Sequence, residues 1–136
     1  MMFSKETEYA LRALVYIQIQ NYNGRRPGIA EIAAEIDAPH FFTAKILQRL
    51  VREGAVRSLK GKGGGFFFDD EAPDLTIRRL VDITGGSRVI NGCIFGLKKC
   101  DEANLCPLHD RYAPIRDSIN ELLESGTVQS LARKSK

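Results

Sequence analysis

Hydrophobic positions recur at helical spacing in five stretches of the chain, and between the third and fourth the spacing shortens to that of strands. Ala10, Ala13, Leu14 and Ile17 stand at i, i+3, i+4 and i+7, which puts them on one face of a helix. Ser4 offers a capping hydroxyl ahead of them, so a first helix is expected from there to about Gln20. The loop Asn21 to Gly28 follows, and Ile29, Ile32, Ala33 and Ile36 then predict a short second helix. Pro39, tolerated in a first helical turn, opens a third in which Ile46, Leu47, Leu50 and Val51 turn toward a core. Gly54 stops it, Ala55 to Leu59 is β-compatible, and a glycine-rich turn leads to Phe66-Phe67-Phe68. Leu75 to Thr84 predicts a fourth helix, closed by Gly85-Gly86 after an acidic connector. From about His109 to Leu131 helix returns, with Tyr112, Ile115, Ile119, Leu122 and Leu123 as its apolar stripe.

Two helices at short separation followed by a hairpin give a mainly α fold with a small β-hairpin wing, the outline of a winged helix-turn-helix. A long amphipathic helix at the end of so small a unit calls for a partner surface, and a symmetric dimer is the commonest solution; folding back on its own chain is the alternative. The expected divisions are a winged domain over 1–84, a cysteine loop over 85–109, a dimerisation helix over 110–131 and a frayed tail over 132–136. With 136 residues, 43% of them hydrophobic, the chain suffices for one compact core and leaves no room for a second large domain.

Charge sharpens this outline locally, not globally. The net charge is only +3, so any case for a polyanionic partner rests on clustering. Lys45, Gln48, Arg49 and Arg52 share the outer face of the third helix, and Arg57, Lys60 and Lys62 lie on the hairpin, against the single acid Glu53. A charged helical stripe is usually a solvated face and a glycine run usually a turn. Combined in one supersecondary unit, they make an electrostatic footprint for double-stranded DNA. The expected phosphate contacts are Arg49, Lys60 and Lys62. His40, Phe41, Thr43 and Lys45 are expected at base edges, with Pro39 and Arg57 in the same DNA-facing set. At least one of Phe41 and Phe42 is expected in the core.

The apolar runs are short and the first residues lack a secretory signal, so a soluble cytoplasmic protein without a membrane span is expected. Three cysteines, an odd number, argue against a disulfide framework. They fall in an aperiodic stretch as Cys93-x6-Cys100-x5-Cys106-x2-His109. Soft thiolates converging from a loop suit an iron-sulfur cluster, and an imidazole can take a fourth position. A structural zinc site fits the same donors but lacks a close Cys-x2-4-Cys knuckle. Cys106 with His109 as base would make a thiol enzyme, although nothing nearby suggests an oxyanion hole. Inert thiols are the fourth possibility.

The order of these motifs resembles a family of dimeric winged-helix bacterial regulators that includes the iron-sulfur cluster biogenesis regulator, the nitric-oxide-sensitive repressor and the cysteine-metabolism repressor. The resemblance is carried by Glu8-Tyr9-Ala10-Leu11-Arg12-Ala13-Leu14, by Ile32-Ala33, by Leu50 to Ser58, by Lys60 to Phe66, and by the three-cysteine loop before a long helix. It implies a transcription regulator, a repressor in several relatives, that binds a palindromic operator as a homodimer through its last long helix. It also implies a [2Fe–2S] or [4Fe–4S] cluster on Cys93, Cys100 and Cys106, with redox or nitric oxide sensing. By the same resemblance the fourth ligand is either His109 or Glu8 supplied by the other protomer. Two departures are a Cys93 to Cys100 gap one residue longer than in the best-known members, and Phe66 where the wing usually carries Tyr.

Overall fold

The computed structural model describes residues 3–86 and 106–135. Six helices and one hairpin occupy these residues, in the order α1 (Lys5–Tyr22), α2 (Ile29–Glu35), α3 (His40–Arg52), β1 (Arg57–Leu59), β2 (Gly65–Phe67), α4 (Ile77–Ile83), α5 (His109–Ser125) and α6 (Val128–Ser135). Cys93 and Cys100, and with them most of the expected 85–109 loop, lie outside the described residues.

The core forms around the apolar face of α1. Ala10, Ala13, Leu14 and Ile17 are buried against Ile32 and Ile36 of α2 and its end, Ile46, Leu47 and Leu50 of α3, Leu80 of α4 and Val128 of α6. Ser4 caps α1 as expected, its hydroxyl accepting the Thr7 N–H at 3.1 Å. The hairpin is antiparallel, with Ser58 opposite Phe66. Its inner edge is tied to the α1–α2 loop: the Phe66 N–H donates to the Pro27 carbonyl at 2.9 Å. Asn21 completes the tie, its side-chain carbonyl accepting the Phe68 N–H and its amide donating to the Phe66 carbonyl. Gly65 is required there, because a Cβ would meet the Arg26 carbonyl oxygen at 2.2 Å.

The C-terminal part differs from the periodicity-based expectation. The single helix over 110–131 is two helices, α5 and α6, broken at Gly126-Thr127. The Gly126 carbonyl accepts the Ile77 N–H at 3.0 Å, and Thr127 bridges Thr76 in a short antiparallel contact. A Cβ at Gly126 would lie 2.8 Å from Ile77 Cδ1, so only glycine lets the chain approach α4 this closely. Thr127 then caps α6 by accepting the Ser130 N–H. The residues expected to fray, 132–136, are helical through Ser135, because Val128 and Ala132 are buried as α6 packs along α1. Leu123 likewise leaves the expected outer stripe and packs on Ile77 and Val81. Among the described residues no helix is long and apolar enough to cross a membrane.

Candidate nucleic-acid interface

The turn between α2 and α3 sets the direction of α3. Asp37 adopts a left-handed conformation (φ 53°). Its N–H donates to the Ala34 carbonyl and that of Ala38 to Ala33, the paired bonds that end a helix in a Schellman turn. Arg12 fixes the turn to α1 by donating to the Ile36 carbonyl at 2.9 Å. Pro39 stands at the cap position, one residue before the first turn in which its ring type is tolerated, with φ −59° and ψ 142°. Its carbonyl accepts both the N–H and the hydroxyl of Thr43, each at 3.0 Å.

Thr43 is therefore a correction. It is only 1% exposed and its hydroxyl is spent on the Pro39 carbonyl, so it closes the first turn of α3 from the inside and presents nothing to a base. A fold-independent signal existed, since Thr43 stands three positions before Ile46 and four before Leu47 on the apolar stripe. The other expected residues, Pro39, His40, Phe41, Lys45, Arg49, Arg57, Lys60 and Lys62, are all exposed. The two adjacent phenylalanines divide their tasks. Phe42 packs edge-on against Tyr9, centroids 5.5 Å apart, while Phe41 is 74% exposed.

The cations on this surface fall into two groups. Arg49 is paired with Glu6 of α1 at 2.6 Å, and Arg57 with Asp69 at 3.5 Å. Lys45, Arg52, Lys60 and Lys62 make no ion pair with a described residue. Between α3 and the hairpin runs a groove of about 640 Å³ whose walls include Gln48, Arg52, Leu59 and Lys60. Two glycines with positive φ, Gly61 (89°) and Gly63 (79°), shape the hairpin tip on either side of Lys62. At the base of the hairpin the Phe67 ring lies 3.9 Å from the Arg26 guanidinium and 5.5 Å from that of Arg57. Arg26, in a loop by composition, was not among the expected residues; only the fold brings it to the wing.

Behind this face a polar cluster fastens α1 to α2. Tyr16 donates to Glu31 at 2.5 Å, and Arg25 pairs with Glu31 at 2.8 Å and also contacts Gln20. The bonds from Arg25 and then Tyr16 hold the Glu31 carboxyl below its ordinary range, and the same Glu31 pushes the Tyr16 phenol up.

Of the candidate ligands, Cys106 is buried directly before α5, and the His109 N–H donates to its carbonyl at 3.0 Å, so the two share one turn. Glu8 lies half-buried on α1, 3.9 Å from the Lys5 ammonium. Among the described residues no three His, Cys, Asp or Glu side chains gather at metal-binding distance, and two of the three candidate thiols stand outside them. The thiolates and the imidazole that the chain offers fit an iron-sulfur cluster as donors.

This arrangement has known counterparts. Protein aau3 of Rhizobium meliloti is 32% identical over 141 residues, covering 98% of this chain and 86% of its own. The HTH-type transcriptional regulator IscR of Pectobacterium atrosepticum is 22% identical over 131 residues, covering 96% and 79%. The solved structure of CymR, the global cysteine regulator of B. subtilis, superposes with a TM-score of 0.73 at 21% identity, covering 100% of this chain and 99% of the other, so the two share a fold. A family model described as Rrf2, iron-dependent transcriptional regulator, matches residues 3–134. Spanning nearly the whole chain, that match places the protein in the Rrf2 family: it is a winged-helix, DNA-binding transcriptional regulator and not an enzyme.

Proposed function

We propose that this regulator is a homodimeric repressor of a palindromic operator, with α3 in the major groove, the hairpin tip on flanking phosphates, and affinity set by an iron-sulfur cluster. The observation that carries the DNA geometry is the set of unpaired cations Lys45, Arg52, Lys60 and Lys62 around one groove. Side chains at the start of α3, namely His40, Phe41 and Lys45, then face base edges, with Pro39 at the mouth of the contact. Arg49, Arg57, Lys60 and Lys62 meet the backbone.

Support for the dimer comes from α5. Leu108, Tyr112, Ile115, Ile119 and Leu122 alternate at four- and three-residue spacing, the seam of a helix that packs on a second helix. Ile115 and Leu122 are 56% and 54% exposed, whereas Leu123 is fully buried within its own chain. Two protomers joined along α5 carry two copies of α3, matching the symmetry of a palindrome.

Cys93, Cys100 and Cys106 would hold the cluster, with His109 or Glu8 of the other protomer as the fourth ligand. The family's printed description as iron-dependent supports the assignment. When bound, such a cluster supplies a redox couple and a lability to oxidants that thiols alone lack. The chain's own contacts offer a short route from that loop to α3. Thr84 ends α4 and donates or accepts at Thr7 Oγ1, 2.5 Å away in the core. Next to it, Gly86 closes over Thr7: a Cβ there would lie 3.1 Å from Thr7 Oγ1. One residue before Thr7, Glu6 holds Arg49 of α3. The first turn of α1 thus touches both the root of the cysteine segment and the recognition helix, and coupling needs two arrangements of it with different operator affinity.

The test is protein purified without oxygen, followed by its visible spectrum and analysis of iron, sulfide and zinc. Thiolate-to-iron absorption with matched iron and sulfide, lost on Cys106→Ala, is the expected result. A colourless protein that binds zinc, or that resists reconstitution, rejects the cluster while leaving the DNA surface in place.

A further inference from the structure

We infer that Phe41 is a specificity residue that reads the 5-methyl group of a thymine in the major groove. This rests on the placement of α3 in that groove proposed above. Phe41 is the second residue of α3 and, at 74%, the most exposed large apolar side chain among the described residues. The core does not need it, because Phe42 supplies the ring that packs on Tyr9. The Lys45 ammonium, one helical turn on, lies 5.7 Å from the Phe41 ring centroid and restricts it to one side.

The surroundings define the partner. Lys45, Arg49 and Arg52 line the same cleft as Phe41, a cavity of about 350 Å³, and a surface this cationic selects a polyanion. An aromatic ring within it still requires an apolar complement, since leaving a phenylalanine in water forgoes roughly 1.5–3 kcal/mol of burial. Major-groove base edges are hydrogen-bond donors and acceptors with one exception, the methyl group of thymine. The first turn of a recognition helix is the part that reaches those edges. A ring there, with no polar atom of its own, distinguishes thymine from the other bases by that group alone.

The methyl group can be removed without touching the protein or the base pairing. Preferred sites are first selected from random-sequence duplexes with the wild-type dimer. Each thymine is then replaced singly by deoxyuridine, and affinity is followed by fluorescence anisotropy. Covering one methyl-sized group is worth about 0.8 kcal/mol, so one thymine per half-site should weaken binding about fourfold when replaced. Phe41→Ala should bind the thymine site about fourfold less tightly and be indifferent to the replacement, while Phe41→Leu should keep part of the discrimination. Wild-type protein indifferent to every deoxyuridine, or discrimination that survives in Phe41→Ala, overturns the role of Phe41 while a retained footprint leaves α3 in the groove. Failure to enrich or protect any sequence overturns both.

Discussion

Arg49 of the recognition helix is held by Glu6 of α1 at 2.6 Å, so the arginine best placed for a phosphate is already paired within its own chain. Both side chains are partly exposed, and such pairs contribute about 0.2–1 kcal/mol. In the complex Glu6 stays close to any phosphate that Arg49 meets and repels it. Glu6→Gln should therefore tighten operator binding about two- to fivefold at low salt and lower stability by less than about 1 kcal/mol. Titration of labelled duplex with both proteins checks this. Weaker binding by Glu6→Gln would mean that the pair serves to position α3.

Lys60 and Lys62 carry the hairpin's phosphate contacts in the proposed geometry. Replacing either by alanine should weaken binding to all sequences alike and reduce the slope of log affinity against log salt by about 0.9. Competition between selected and unrelated duplexes should keep its ratio. A changed ratio with an unchanged slope would place these lysines at bases or away from DNA.

The two faces of α5 should separate by mutation. Ile115→Glu and Leu122→Glu, on exposed positions, should yield folded monomers, read as mass by light scattering with helical content retained. Leu123→Ala, in the cluster with Ile77 and Val81, should instead cost about 2–5 kcal/mol of stability without a specific effect on association. A dimer that survives both glutamates moves the interface off α5.

Asp37 occupies a left-handed position with a side chain that such positions tolerate poorly. Asp37→Gly should raise stability by up to about 1 kcal/mol, and Asp37→Val should lower it by at least as much, since β-branching is worst there. Urea denaturation of the three proteins gives the order directly. A more stable valine variant would contradict the helix-ending turn.

The Glu31, Tyr16 and Arg25 cluster predicts loss of stability at both ends of the pH scale. Glu31 is lowered from 4.5 by Arg25 and then Tyr16, so its contribution is complete above about 4.5 and disappears as pH falls through the lowered value. Tyr16 is raised from 10.0, first by its bond to Glu31 and then by burial, so its contribution is complete below about 10 and disappears as pH rises through the raised value. Urea midpoints measured across pH should flatten on the acid side in Glu31→Gln and on the alkaline side in Tyr16→Phe.

Where a single element decides its own structure, the chain is legible without its fold. The i, i+3, i+4 spacing of Ala10, Ala13 and Leu14, the Ser4 cap and the glycines around Lys62 act within a turn or two, so α1, α3 and the hairpin form where local chemistry places them. The exposed cationic face of α3 followed from the same periodicity. Thr43 did not, because whether a threonine at the edge of an apolar stripe faces in or out depends on how far the neighbouring helix reaches around it.

What only the tertiary structure decided are relations between residues distant in the chain. The break at Gly126 is a matter of distance to Ile77, forty-nine positions earlier, and a helix period carries no information about what it will meet. The pairing of Glu6 with Arg49, the seating of Arg26 on Phe67 and the turn of α6 onto α1 have the same origin. Sequence alone determined the amphipathic helices, the wing and the ligand-type residues, because hydrophobic periodicity and turn chemistry are local. Packing decided which cations remain unpaired and which apolar residues stay exposed, because each answer requires a surface contributed by another part of the chain.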